Sequence, residues 1–381
     1  MTLKIAFVGT GADPDDRSRK GYAMAYRHAR GYRRLDDCML IGCADIVREN
    51  AERFADEFDI DHVYEDYEEM VRQTQPDIVS VCVPPKVHAE IVTGCAESGA
   101  VNAIHCEKPM ATTWADCKRM VEVCEERDVK LTIDHQRRFG TPYRKAKKLL
   151  DGGAIGELRR FEWSEDNIFD AGTHLFDLCG YYNDQTPPEW VLAGIDYREE
   201  NVWFGAHNEN QAFAQWKYEN DVYGCASTGP GSPFVGCYLR IIGDDGVIEL
   251  GAENGPPLRI KRDGSDWKTV DTDNETIYGR KTGIANAAIE KIAERLPTPV
   301  EDTLRHPSNY EKAIADVVRA VREDDESMIS GENVLQSTEL VFASWESARR
   351  RGRVDLPLDI DDNPLESMVE DGKLGVSSES T

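Results

Sequence analysis

Several short stretches of the chain carry residue types able to do chemistry. Gly9-Thr10-Gly11 follows the apolar run Leu3 to Val8, and a glycine pair in a tight turn lets backbone N–H groups approach a pyrophosphate. A second apolar run ends on Asp45, in Ile41-Gly42-Cys43-Ala44-Asp45. A carboxylate there accepts hydrogen bonds from ribose hydroxyls and repels a 2′-phosphate. Together they favour NAD over NADP, although Arg48, three residues on, would offset part of that repulsion. Further along, Asp77 to His88 (DIVSVCVPPKVH) runs into Pro84-Pro85 and His88, Cys106-Glu107-Lys108-Pro109 closes another apolar run, and Asp170-Ala171-Gly172-Thr173-His174 lies far downstream. Asp170, His174 and Asp177 stand at i, i+4 and i+7, the spacing that brings three side chains to one face of a helix. As a metal site that trio lacks a fourth ligand at recognisable spacing, so no metal is expected. The plainest structural readings make His174 a satisfied core histidine and Lys108 a surface lysine.

These residues need a frame. From residue 3 to 136, short apolar runs alternate with segments of helical period: Leu3 to Val8, Met39 to Ala44, Ile78 to Val83, Ala103 to Cys106 and Leu131 to Ile133 read as buried strands. That alternation predicts an α/β unit with a doubly wound parallel sheet. After about residue 155 the texture changes to partly alternating runs, Leu158 to Trp163, Ala212 to Tyr218, Tyr238 to Ile242 and Val247 to Leu250, separated by turns such as Gly243-Asp244-Asp245-Gly246. This predicts a second, α+β domain with a largely antiparallel open sheet. Two late helices, around Asn309 to Arg322 and Glu332 to Arg350, are expected to return to the domain junction. The boundaries expected are 1–136, 137–358 and an acidic tail, 359–381.

Composition narrows the class of function. Acidic residues number 71 against 45 basic, with 16 Lys to 29 Arg, for a formal charge of -26. Such a surface stays hydrated in concentrated salt and repels phosphate backbones and anionic lipid, which points to a halophile and disfavours nucleic-acid and membrane partners. The ten cysteines include no C-x-x-C pair and read as reduced core thiols. With no long apolar run and no basic-flanked leader, a cytoplasmic location is expected.

Taken together, the E-K-P and D-x-x-x-H motifs, the run into Pro84 and His88, Gly152-Gly153-Ala154-Ile155-Gly156-Glu157 and Ile329-Ser330-Gly331-Glu332-Asn333 closely resemble the Gfo/Idh/MocA family of oxidoreductases, over about residues 3–357. The resemblance implies a Rossmann domain, an open-sheet substrate domain and hydride transfer between a nicotinamide cofactor, NAD or secondarily NADP, and a hydroxyl carbon of a sugar, polyol or sugar derivative. It implies cofactor contacts from Gly9, Gly11, Asp45, Pro84, His88, Glu107 and Lys108, and substrate contacts from Lys108, Arg137, Asp170 and His174. The matching residues suit that chemistry, which needs a base for the hydroxyl proton and a donor for the developing oxyanion. His174 serves as base, Lys108 polarises the substrate oxygen, and Asp170 orients one of them or binds a neighbouring hydroxyl. His88 is read as a helix cap or ribose contact. Arg137 and Arg138 follow the last strand of the first domain, where one binds a substrate oxygen or forms a structural salt bridge. The resemblance also implies a homo-oligomer, dimer or tetramer, built on the open face of the second sheet. Redox-neutral lysis with tightly held NAD, and ligand sensing without catalysis, are the rival readings.

The chain departs from the family in two places. About eight residues are inserted after Gly11, and Arg17, Ser18, Arg19 or Lys20 could clamp the cofactor's phosphates, or the loop could simply face salt. The connection Glu162 to Phe169 before Asp170 is shorter than the family's, which predicts an open catalytic face that a large substrate or a second subunit completes.

Overall fold

The computed structural model describes residues 2–12, 14, 23–283, 286, 292 and 305–374. The insertion with Arg17, Ser18, Arg19 and Lys20 lies outside the described residues. The chain divides into two compact units: Met1–Thr112 with Asp116–Gln136 and Ala285–Val334, and Arg137–Ile284 with Leu335–Thr381 and the short piece Thr113–Ala115.

In the first unit the elements run β1 (Leu3–Val8), α1 (Met24–Arg33), β2 (Cys38–Ala44), α2 (Arg48–Phe58), β3 (His62–Tyr64), α3 (Tyr67–Thr74), β4 (Ile78–Val81), α4 (His88–Glu97), β5 (Ala103–Cys106), α5 (Trp114–Glu126) and β6 (Lys130–Ile133). The strands are all parallel, in the order β3-β2-β1-β4-β5-β6. Strands covered on both faces are apolar nearly throughout, as β1 and β4 are. The order reverses between β1 and β4, and at such a switch point the carboxyl ends of the strands open a crevice for ligands. Phe7, Tyr26, Phe54 and Phe58 pack edge-on or tilted on one face of the sheet. The late helix Asn309–Glu323 opens on a capping box of Ser308 and Glu311 and lies on α1. Gly31 permits that approach, since a Cβ there would sit 2.9 Å from Ile314 Cγ1.

The second unit carries β7 (Leu158–Glu165), β8 (Pro188–Asp196), the pair β9 (Val202–Trp203) and β10 (Ala206–His207), β11 (Gln211–Tyr218), β12 (Tyr223–Thr228), β13 (Cys237–Gly243), β14 (Gly246–Ala252), β15 (Leu258–Arg262), β16 (Lys268–Thr269) and β17 (Val354–Asp355). Its nine-stranded sheet has the order β16-β15-β14-β13-β7-β12-β11-β8-β17, antiparallel except between β7 and β12. Helices α6 (Thr141–Asp151) and α7 (Thr173–Tyr182) and the last turns of Gly331–Arg350 belong to this unit. β11 alternates as a half-buried strand should: Ala212, Ala214, Trp216 and Tyr218 are buried and Phe213 points outward. Phe176 of α7 sits edge-on to Trp163 and Trp216, with centroids 4.9 and 5.0 Å away, so this aromatic cluster fixes the helix on the sheet. Opposite Trp216 the sheet needs Gly224, because any Cβ there would fall 1.9 Å from the indole. No helix of the described residues is long and apolar enough to cross a membrane.

Candidate active site

At the carboxyl ends of β1 and β2 the glycine turn and Asp45 meet. Gly9 and Gly11 take φ of 83° and 72°, a region L-residues rarely adopt, and a Cβ on Gly9 would lie 2.5 Å from Val83 Cγ1. The Asp45 carboxylate binds the turn directly: Oδ2 accepts from Gly11 N–H at 2.9 Å and from the Thr10 hydroxyl at 3.1 Å, while Oδ1 accepts from Val47 N–H at 2.9 Å. Beside it Ile46 is 89% exposed, an apolar side chain held in solvent. Arg48 is engaged by Glu52, with Nε 2.7 Å from Oε1.

The chain leaves β4 through Pro84, turns at Pro85–Val87 and enters α4 at His88. His88 is fully buried. Its Nε2 lies 2.8 Å from the Val83 carbonyl, and its Nδ1 lies 3.0 and 3.2 Å from the carbonyls of Pro109 and Met110. Burial pulls its pKa below the usual imidazole range, against those carbonyls. The ring therefore joins the β4 exit to the loop carrying Lys108. Lys108 is half-buried just after β5, and its N–H donates to its neighbour's Glu107 Oε2 at 3.3 Å.

Glu107 points inward, into a polar row across the sheet. Ser80, His105 and Thr132 are register partners on β4, β5 and β6. Two residues further along each chain, Cys82, Glu107 and Asp134 return to the same side, and His28 of α1 reaches down to them. His28 Nδ1 lies 3.1 Å from Ser80 Oγ and 3.5 Å from Cys82 Sγ, and its Nε2 lies 3.0 Å from Glu107 Oε1 and 3.6 Å from Asp134 Oδ2. His105 Nδ1 meets Thr132 Oγ1 at 2.9 Å, and its Nε2 lies 3.9 Å from Asp134 Oδ1. Burial opposes a charge on His28, but Cys82, Asp134 and Glu107 outweigh it and hold the pKa well above the usual value. His105 is pushed well below it by burial and by His28.

In the second unit the geometry corrects one expectation. Asp170, His174 and Asp177 do not share a helix, because α7 starts at Thr173 and Asp170 belongs to the turn before it. Asn167 makes that turn: its Oδ1 accepts from the N–H groups of Asp170 (2.8 Å) and Ala171 (3.1 Å), and Gly172 N–H donates to the Asn167 carbonyl. Only glycine fits at 172, where a Cβ would be 2.6 Å from that carbonyl oxygen. β7 runs to Glu165 and hands over to this turn directly, as the short connection implied. His174 is buried in the first turn of α7, and Asp170 is half-buried. Asp177 is committed elsewhere, with Arg138 Nε and Nη2 each donating to its two carboxylate oxygens at 2.7 Å in full burial. Arg138 is thus the structural arginine. Arg137 stacks over Tyr238, 5.0 Å from the ring centroid, with Nη1 3.7 Å from Glu165.

Sequence reasoning passed over the residues that hold the Asp170 turn from outside. Glu209 is wholly buried; its Oε1 accepts from Ile168 N–H (2.6 Å) and the Thr228 hydroxyl (3.3 Å), and its Oε2 from Trp345 Nε1 (3.1 Å). Burial raises its pKa to about 7 against those bonds. Asn208 Oδ1 lies 3.3 Å from Asp170 N. His28, His105 and Asp134 were also passed over, although Ser80-Val81-Cys82, His105-Cys106-Glu107 and Thr132-Ile133-Asp134 repeat a polar-apolar-polar triplet on three neighbouring strands.

Comparison with known proteins agrees with this division. The chain is 30% identical over 190 residues to the myo-inositol 2-dehydrogenase of Thermotoga maritima, an alignment covering 46% of this chain and 56% of the relative. It is 28% identical over 221 residues to the 2,7-anhydro-N-acetylneuraminate hydratase of Mediterraneibacter gnavus, covering 53% and 58%. It therefore spans little more than half the length of either. In fold it is similar to the WlbA dehydrogenase of Bordetella pertussis, solved with NADH and UDP-GlcNAcA, at a TM-score of 0.69 and 19% identity over 94% of this chain and 100% of that one. Residues 3–135 match the model of the oxidoreductase family's NAD-binding Rossmann fold, and residues 159–356 match that of its C-terminal alpha/beta domain. Both halves of the molecule thus lead to one assignment, and the chain belongs to the Gfo/Idh/MocA family of oxidoreductases.

Proposed function

We propose that the protein is an NAD-dependent dehydrogenase that oxidises a hydroxyl carbon of a sugar, polyol or sugar derivative, or reduces the corresponding carbonyl. The observation that carries this reading is the gathering of Gly9, Gly11, Asp45 and the Glu107-Lys108 pair at the carboxyl ends of parallel strands in an NAD-binding unit. The site suits the cofactor: a positive-φ glycine turn leaves backbone room for a pyrophosphate, and Asp45 offers a carboxylate beside exposed Ile46, an apolar surface for an adenine ring. NAD, when bound, supplies the hydride acceptor. His174 takes the hydroxyl proton, Lys108 stabilises the developing oxyanion, and Asp170 and Arg137 bind neighbouring substrate oxygens. Glu107 and His88 position Lys108 from beneath. The relative named as an inositol dehydrogenase supports a polyol or sugar as substrate.

Asp45 supports a preference for NAD over NADP, and Arg48 is paired with Glu52. Leu192, Phe213 and Tyr223 stand 45, 52 and 37% exposed on the outer face of the second sheet, which supports assembly through that face. The charge of -26 supports a cytoplasm rich in salt.

The test is a screen of sugars and polyols with NAD and NADP in molar KCl, following absorbance of the reduced cofactor. Net NADH formation with at least one substrate, and higher kcat/KM with NAD than with NADP, are expected. Turnover without net NADH would instead favour the redox-neutral reading, which the likeness to a hydratase supports. Dialysis to low salt should erode activity as screening of like charges is lost.

A further inference from the structure

The polar row beneath the Lys108 loop contains more than the proposed reaction uses. His28, His105 and Asp134 are buried, offer one donor atom each within 4.8 Å of one another, and have Glu107 as a fourth donor against His28. Neither oxygen of Asp134 nor Nε2 of His105 has a hydrogen-bond partner among the described residues. Burying such groups without partners is costly, because each loses its hydration and gains nothing in return.

The hydroxyls around the row say which nitrogen of each imidazole faces the carboxylates. Thr132 Oγ1 lies 3.2 Å from the Ile104 carbonyl, which can only accept. The arrangement that satisfies both contacts has Thr132 donating to Ile104 and accepting from His105 Nδ1–H. That leaves the His105 Nε2 lone pair directed at a carboxylate. Ser80 repeats the pattern, since it can donate to Tyr32 at 3.4 Å and accept from His28 Nδ1–H, which turns the Nε2 of His28 toward Glu107 and Asp134. A ring nitrogen facing a carboxylate, with the opposite nitrogen held by a hydroxyl, is how outer-shell groups orient histidine ligands; the proton that His28 Nε2 donates to Glu107 at 3.0 Å is the one a metal would replace.

The distances agree. Separations of 3.6 and 3.9 Å exceed a hydrogen bond. Ligand atoms around one ion with bonds of about 2.0–2.2 Å stand roughly 3.3–3.6 Å apart, so the set, spread over 4.8 Å, closes by side-chain shifts of about an ångström. Two imidazoles and two carboxylates neutralise a divalent charge, which a buried site otherwise has to hold as protons.

We propose that His28, His105, Glu107 and Asp134 form a closed site for one divalent ion of the zinc class, which ties α1, just after the glycine turn, to the loop that bears Lys108. Two nitrogen and two oxygen donors in tetrahedral reach suit Zn2+ or Co2+ better than Mg2+ or Ca2+, which need more oxygens. On binding, the proton that His28 Nε2 donates to Glu107 leaves to solvent. With four protein donors the site is structural; it lies outside the Asp170, His174 and Asp177 trio considered from the sequence.

To test this, the full chain is stripped with a chelator, loaded with Zn2+ or Co2+, desalted and assayed for metal by mass spectrometry. One equivalent per chain should survive desalting, raise the melting temperature, and with Co2+ give the intense visible bands of a tetrahedral nitrogen and oxygen site. Asp134→Asn and His105→Gln should each abolish retention and bands. Retention below about a tenth of an equivalent would overturn the site, as would undiminished retention in both folded variants. The pale spectrum of an all-oxygen site on wild-type protein would also overturn it, marking ions held only by the acidic surface. Should the variants fail to fold, the wild-type stoichiometry and cobalt spectrum decide alone.

Discussion

Two buried polar clusters underlie the two loops that carry the proposed catalytic residues, and they are built on opposite terms. Beneath Asp170 each carboxylate is matched: Asp177 takes two donors from Arg138, and Glu209 takes Ile168 N–H, the Thr228 hydroxyl and Trp345 Nε1. Beneath Lys108, Asp134 meets no donor at hydrogen-bond distance among the described residues, and His105 turns its Nε2 lone pair toward that carboxylate. A matched cluster is scaffolding, because removing one member strands the others. An unmatched cluster needs a further proton or ion to be stable.

The largest effect expected is at the matched cluster. Arg138→Ala leaves Asp177 buried and uncompensated, and should cost about 3–5 kcal/mol in denaturant unfolding. Replacing both residues by Leu should recover most of that loss. A change below about 1 kcal/mol for the single variant would show that the pair is not a structural hub.

Lys108→Ala separates catalysis from scaffolding. Turnover should fall about 100-fold or more, equivalent to roughly 3 kcal/mol of transition-state stabilisation, while NAD binding and melting temperature hold. Near-normal turnover would remove Lys108 from the chemistry. A large loss of melting temperature would place it with the scaffold instead.

The smallest effect expected is the pH signature of Glu209. Its folded pKa of about 7 lies above the ordinary 4.5, so the folded state binds the proton more tightly than the unfolded chain. The stability this contributes is present in full below about pH 4.5 and is lost as pH rises through about 7. Glu209→Gln should flatten that decline in melting temperature, at an overall cost of about 1–3 kcal/mol because one buried donor loses its acceptor. Parallel pH profiles for the wild type and the variant would show that Glu209 is ionised in both states.

How much was legible in advance depended on the range of the interactions. β1 and β5 occupy the residues their apolar runs marked, and the helix Asn309–Glu323 begins within its own capping box, because length, period and caps are local properties. The strand β3 was missed; three residues, His62–Tyr64, are too few for a period to register. Ile78 to Val83 overran β4 by two residues, since the turn at Pro84-Pro85 releases the chain early.

What the sequence by itself determined about this protein is its family, its two sheets and the order of its motifs: glycine turn, Asp45, E-K-P, then D-x-x-x-H. Each is written within a few consecutive residues, and local chain stiffness, side-chain alternation and glycine's access to positive φ suffice to express it. Only the tertiary structure decided that Asp170 precedes its helix, that Asp177 belongs to Arg138, that Glu209 holds the Asp170 turn, and that His28, His105, Glu107 and Asp134 converge. Those pairings join residues far apart in the chain, and they exist because strand order and helix packing bring the polar groups out of water together, where each must find a partner.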